Sequence, residues 1–92
     1  MRWSEGFLSL LDRLWSRKII GGKHTPEGIC MKWVQHLSRE EQRRIRSEWE
    51  YAIKQLRWIV RMKKTYENHV SLNPERLHEV LEALGGHDGR VL

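Results

Sequence analysis

Between positions 39 and 57 the chain sets Arg39, Gln42, Arg43, Arg46, Ser47, Glu50, Lys54 and Arg57 against an apolar series, Ile45, Trp49, Ala52, Ile53 and Leu56. The apolar residues recur at steps of four, three, one and three, the spacing that lines one face of a 3.6-residue helix. With that stripe buried, the other side of the helix is mostly cationic and carries planar hydrogen-bonding groups. Guanidinium and carboxamide groups can meet base edges through paired hydrogen bonds, while ammonium groups and N–H groups at a helix start can meet phosphates. The chemistry on offer is recognition of an anion.

Other constellations point less far. His24, Cys30 and His36 invite a metal reading, but zinc sites use tighter pair spacings and a fourth ligand or an open catalytic position, so no metal is expected. Cys30, beside Met31 on an apolar helix, reads as a buried small hydrophobe rather than a nucleophile. There is no Ser, His and Asp grouping, P-loop or dinucleotide glycine motif, so neither catalysis nor a cofactor or small-molecule ligand is expected. Of the five tryptophans, Trp15, Trp33 and Trp49 fall on apolar faces and belong to a core; Trp3 and Trp58 are open to a core edge or a partner.

The elements that must position the basic face can be read in turn. Ser38 and Glu41 have capping-box spacing, so a helix is predicted over 39–57. Period-two alternation then places Trp58, Val60 and Met62 on one side of a strand, and residues 69–73 alternate likewise with Val70 and Leu72 apolar. The polar interval 64–68 is short enough to be the loop of a hairpin. Upstream, Ser4 caps a first helix over 5–17 with Phe7, Leu8, Leu11, Leu14 and Trp15 on its apolar face. Lys18, Ile19 and Ile20 are a candidate very short strand before Gly21 and Gly22. Thr25 and Pro26 start a second helix with Ile29, Trp33, Val34 and Leu37 inward, and a tight turn at Leu37 and Ser38 joins it to the basic helix. Asn73 and Pro74 start a last helix carrying Leu77, Val80, Leu81 and Leu84, and residues 85–92 are expected to form a flexible tail.

Ninety-two residues allow one domain, 1–92, with its core over about 4–84. At 39% hydrophobic and 32% charged the chain is too apolar for disorder and too interrupted by charge for a membrane span. The start lacks a signal-peptide pattern, and one cysteine permits no internal disulfide, so a cytoplasmic setting is expected. The formal charge of +5 is unevenly spread: residues 39–64 are strongly positive and residues 65–92 net negative. Such a polarised surface suits a polyanion.

The order helix, short strand, helix, tight turn, helix, strand, loop, strand, helix resembles the winged helix-turn-helix family of DNA-binding domains. The phrases at 21–27, Gly-Gly-Lys-His-Thr-Pro-Glu, and at 69–74, His-Val-Ser-Leu-Asn-Pro, are similar to small archaeal members. The resemblance implies a mainly α fold with a small β-hairpin, a recognition helix carrying Arg39, Gln42, Arg43 and Arg46, and a wing carrying Arg61, Lys63, Lys64 and Tyr66. It also implies double-stranded DNA as partner and a regulatory role in transcription; a homodimer on a specific site, built through the first and last helices, is expected because a small reader gains area and specificity from two half-sites. Helix 39–57 is longer than a usual recognition helix, which leaves its second half for packing or an interface, and Glu40, Glu41, Glu48 and Glu50 dilute its charge. The alternatives are a protein-interaction module on the same scaffold, and binding of RNA or single strands.

Overall fold

The computed structural model describes residues 2–85, an α+β arrangement of four α-helices and one three-stranded antiparallel sheet. Helix α1 (Glu5–Ser16) begins where Ser4 accepts the Phe7 N–H at 3.2 Å, which satisfies one of the unpaired donors of a helix start. Its residues Phe7, Leu8, Leu10, Leu11 and Leu14 are all buried. A fully buried aliphatic or phenyl side chain stabilises a fold by about 1.5–3 kcal/mol, so this face alone is a large share of the core. Helix α3 (Arg39–Lys54) starts with the capping box expected of it: Ser38 accepts the Glu41 N–H, and the Glu41 carboxylate accepts the Ser38 N–H. Ile45, Trp49 and Ala52 line its buried side.

The two helices cross closely because Gly6 has no side chain. A Cβ there would lie 2.3 Å from Ile45 Cδ1, well inside van der Waals contact. Glu48 of α3 reinforces the crossing by accepting from the Ser4 backbone N–H at 3.0 Å and from its hydroxyl.

Strands β1 (Thr25–Pro26), β2 (Ile59–Lys63) and β3 (Asn68–Leu72) lie in the order β1-β3-β2. The expected hairpin is present, with Ile59 opposite Leu72, Arg61 opposite Val70 and Lys63 opposite Asn68. This register corrects the reading of β2. Ile59 and Arg61 share a face with the fully buried Val70 and Leu72, while Val60 and Met62 point the other way and Val60 is 39% exposed. An inward arginine defeats an alternation pattern because its charge is satisfied by carboxylates rather than by water.

Three boundaries also differ from expectation. The extra strand is not at 18–20: Ile20 makes one parallel bridge to Leu72, and Thr25 and Pro26 pair instead with Val70 and His69. Proline is acceptable there because β1 is an edge strand. Helix α2 (Glu27–Lys32) therefore starts after Pro26 and ends before 37, its last turn loosening into tighter bonds such as Trp33 N–H to Cys30 O and Val34 N–H to Met31 O. Ile29, expected inward, is exposed. Helix α3 stops at Lys54 rather than 57 because Trp58 and Ile59 must both be buried at once; Arg57 takes a left-handed φ of 62° and reverses the chain, with Asn73 Nδ2 holding the Arg57 carbonyl at 2.8 Å.

After β3, Asn73 accepts from the Glu75 N–H and opens a 3-10 turn (Pro74–Arg76) that leads into α4 (Leu77–Gly85). Val80 and Leu84 are buried, and Trp58 Nε1 donates to Glu79 at 2.9 Å, tying α4 to the start of β2. The tail expected over 85–92 lies outside the described residues except for Gly85. Among the described residues no helix is long and apolar enough to cross a membrane.

Candidate nucleic-acid interface

Arg39, Arg43 and Arg46 are exposed on α3, and none of them forms a side-chain hydrogen bond or ion pair among the described residues. Steps of three and four residues bring them to neighbouring positions on one side of the helix. Gln42 is placed differently. It is half-buried, and its Nε2 donates to the Gln35 carbonyl at 3.0 Å and the Leu37 carbonyl at 2.8 Å. Expected among the outward-reading groups, Gln42 instead clasps the turn between α2 and α3, where loosened helical bonding leaves carbonyls in need of donors.

Arg61 likewise departs from the place expected for it. Instead of projecting from the hairpin, its guanidinium lies between α2 and α3. Nη2 donates to Glu27 Oε2 at 2.6 Å, Nε donates to Glu27 Oε1 at 3.1 Å, and Nη1 and Nη2 reach the Glu50 carboxylate. Glu27 also accepts from Trp49 Nε1 at 2.6 Å, and Lys54 lies 3.6 Å from Glu50. A planar fork of donors is the one side chain suited to bridging two carboxylates in this way. The guanidinium bonded to Glu50 holds that carboxyl below the usual range, and the two carboxylates push the arginine further from deprotonation.

The consequence is geometric. Glu50 lies about one turn beyond Arg46 on the same side of α3, so the Arg61 bridge brings β2 alongside the exposed arginines. At the far end of that strand Lys63 is exposed, followed by Lys64 and Tyr66 in the hairpin loop; Tyr66 is 96% exposed. Between the C-terminal end of α3 and β2 there is a cleft of about 380 Å³, lined by Ile53, Lys54, Arg57, Val60, Arg61 and Asn73 among others. The second half of α3 is thus partly packing, as Trp49, Ala52 and Ile53 show, and partly the basic wall of this cleft.

The acidic residues of α3 are mostly occupied. Glu41 serves the capping box, Glu48 accepts from Ser4 and pairs with Arg44 at 3.3 Å, and Glu50 is held by Arg61 and Lys54. The charge they were expected to dilute is therefore less diluted on the outer face than in the sequence. The partners of Arg61 were not foreseen, because the pattern of a lone strand carries no sign of which distant carboxylates its inner face will meet.

Cys30 is fully buried, and burial, with the nearby Glu27 charge, pushes its thiol up to about 12. Trp49 and Trp58 are buried, while Trp3 packs across the edge of the core with its ring centroid 4.9 Å from Phe7 and 5.4 Å from Trp58. Trp33 is half-buried beneath the guanidinium groups of Arg13 and Arg17, at 5.0 and 5.2 Å. Comparisons with protein-family models, with curated proteins and with solved structures found no match to this chain.

Proposed function

We propose that this chain is a non-enzymatic, winged helix-turn-helix domain that binds double-stranded DNA in a cytoplasmic setting. One observation carries the reading: three exposed, unpaired guanidiniums of α3 stand beside a hairpin whose strand is bridged to that same helix face and ends in Lys63, and whose loop bears Lys64 and an exposed tyrosine. The connection α2, turn, α3, followed by β2 and β3 in a sheet of order β1-β3-β2, supports the scaffold.

In this reading Arg39, Arg43 and Arg46 enter the major groove, which is wide enough to admit a helix, and a guanidinium takes both acceptors of a guanine edge. Lys63, Lys64 and Tyr66 form the wing against an adjacent groove or the phosphate backbone, lysine serving as a point charge. Arg61 and Gln42 act through the scaffold, one setting the angle between wing and helix and the other the turn before the helix. A small reader gains area and specificity from two half-sites, so the DNA-bound form is a homodimer and its role is regulation of transcription.

The test is an anisotropy titration of duplex DNA, single-stranded DNA and RNA at two salt concentrations. Preference for duplex together with a steep loss of affinity at the higher salt is the expected result. Equal binding to all three, or none, contradicts the proposal.

A further inference from the structure

Near the loop end of the hairpin, two histidines from distant parts of the sequence meet. His24, just before β1, and His69 of β3 place their Nδ1 atoms 2.7 Å apart, with the rings edge to face at 68°. That contact needs one proton on the axis between the nitrogens: one Nδ1 donates and the other accepts. A neutral pair satisfies it, and so does a pair carrying a single extra proton on an outer nitrogen, whereas two protonated Nδ1 atoms repel.

The surroundings set which state is held. Pro26 and Met62 flank His69 across the sheet and bring no charge. Glu67 Oε2 lies 3.9 Å from His69 Nε2 and is the nearby anion. Lys64, from the loop, is the nearby cation. Burial, then the Lys64 charge, then His69 itself hold His24 below its ordinary value, so the free protein keeps His24 short of its second proton. A phosphate seated on Lys64 cancels one of those causes and adds an anion that favours protonation.

We infer that the His24–His69 pair takes up a proton when a phosphate chain settles on the hairpin loop, so that duplex affinity rises as pH falls from 8 to 6. This rests on the reading of that loop as a phosphate-binding wing. Proton uptake on binding and tighter binding at lower pH are one coupling seen from two sides. A raised affinity of the pair for its proton tightens duplex binding by up to the same factor, reached in full only below the free pair's own titration, so part of that gain appears between pH 8 and 6.

The experiment is a duplex titration from pH 8 to 6 at constant ionic strength, with calorimetry in two buffers of different ionisation heat to count protons. The native chain and His36→Gln, which removes an exposed histidine, should both bind several-fold more tightly at pH 6 than at pH 8 and take up protons. His24→Gln and His69→Gln, shown to be folded by circular dichroism, should bind with little pH dependence and no uptake. Should either fail to fold, Lys64→Gln serves in its place, because loss of that cation must also flatten the pH profile. A profile that survives these changes, or is flat in the native chain while duplex still binds, overturns this inference alone. No duplex binding at any pH overturns both it and the reading beneath it.

Discussion

Replacing Arg61 by methionine keeps the stem that lies against the sheet and removes the guanidinium, leaving Glu27 and Glu50 facing each other without the cation between them. The side chain of Arg61 is 24% exposed, Glu27 16% and Glu50 42%, so the cost falls between two limits. Breaking a fully buried pair by removing one partner costs about 3–5 kcal/mol, and an exposed pair is worth about 0–1. Screening of the Glu50 side weights the result toward the middle, at roughly 2–3 kcal/mol. In a domain of this size that corresponds to a fall in Tm of about 8–24 °C. The pH dependence follows from Glu50. Its carboxyl is depressed in the folded state, so its contribution is complete above the ordinary carboxylate range and is lost as pH falls through the lowered folded value. Urea denaturation of the native chain and Arg61→Met at pH 7 and pH 3 should therefore show a gap that narrows markedly in acid. A gap below about 0.5 kcal/mol at pH 7, the ordinary range for a surface change, refutes the bridging role. So does a gap that is undiminished at pH 3.

The remaining predictions separate the outer face from the scaffold. Arg43→Ala should cost about 1–3 kcal/mol on the preferred duplex and flatten discrimination, whereas Lys63→Ala with Lys64→Ala should weaken all duplexes alike and lower the salt slope by roughly 1–2; titrations of folded variants on several duplexes check both. Gly6→Ala, which in an open helix gains about 0.5–1 kcal/mol, should here destabilise by about 1, because the added methyl meets the buried Ile45 in the α1–α3 crossing; chemical denaturation reads the sign. Cys30 should resist a thiol reagent at pH 8 in the folded protein and react promptly in denaturant, since its thiol is buried and pushed up to about 12.

Much of the fold was legible because its signals are local. Capping at Ser4, Ser38 and Asn73, the apolar stripes of α1 and α3, and the alternation at Val70 and Leu72 each depend on a few neighbouring residues. The misplacements share one physical origin, in that contacts between distant segments decided them. Thr25 and Pro26 carry a strong helix-start signal, yet pairing with Val70 and His69 takes them into the sheet. Arg61 reads as an outward cation until Glu27 and Glu50 arrive from two other elements, and Gln42 as an outward amide until the turn carbonyls claim it. The His24–His69 contact joins residues 45 positions apart and was invisible for the same reason. Arg39, Arg43, Arg46, Lys63, Lys64 and Tyr66 are exposed where the sequence reading put them, because nothing in the fold competes for them.

The central claim, that the outer face of α3 and the adjacent hairpin loop together bind duplex DNA, is tested most directly by mapping amide chemical shifts of the labelled protein as a short duplex is added. The expected result is a contiguous set of perturbations over residues 39–46 and 63–67, weakening as salt is raised. Perturbations confined to α1 and α4, or none at a protein concentration far above any useful affinity, contradict it.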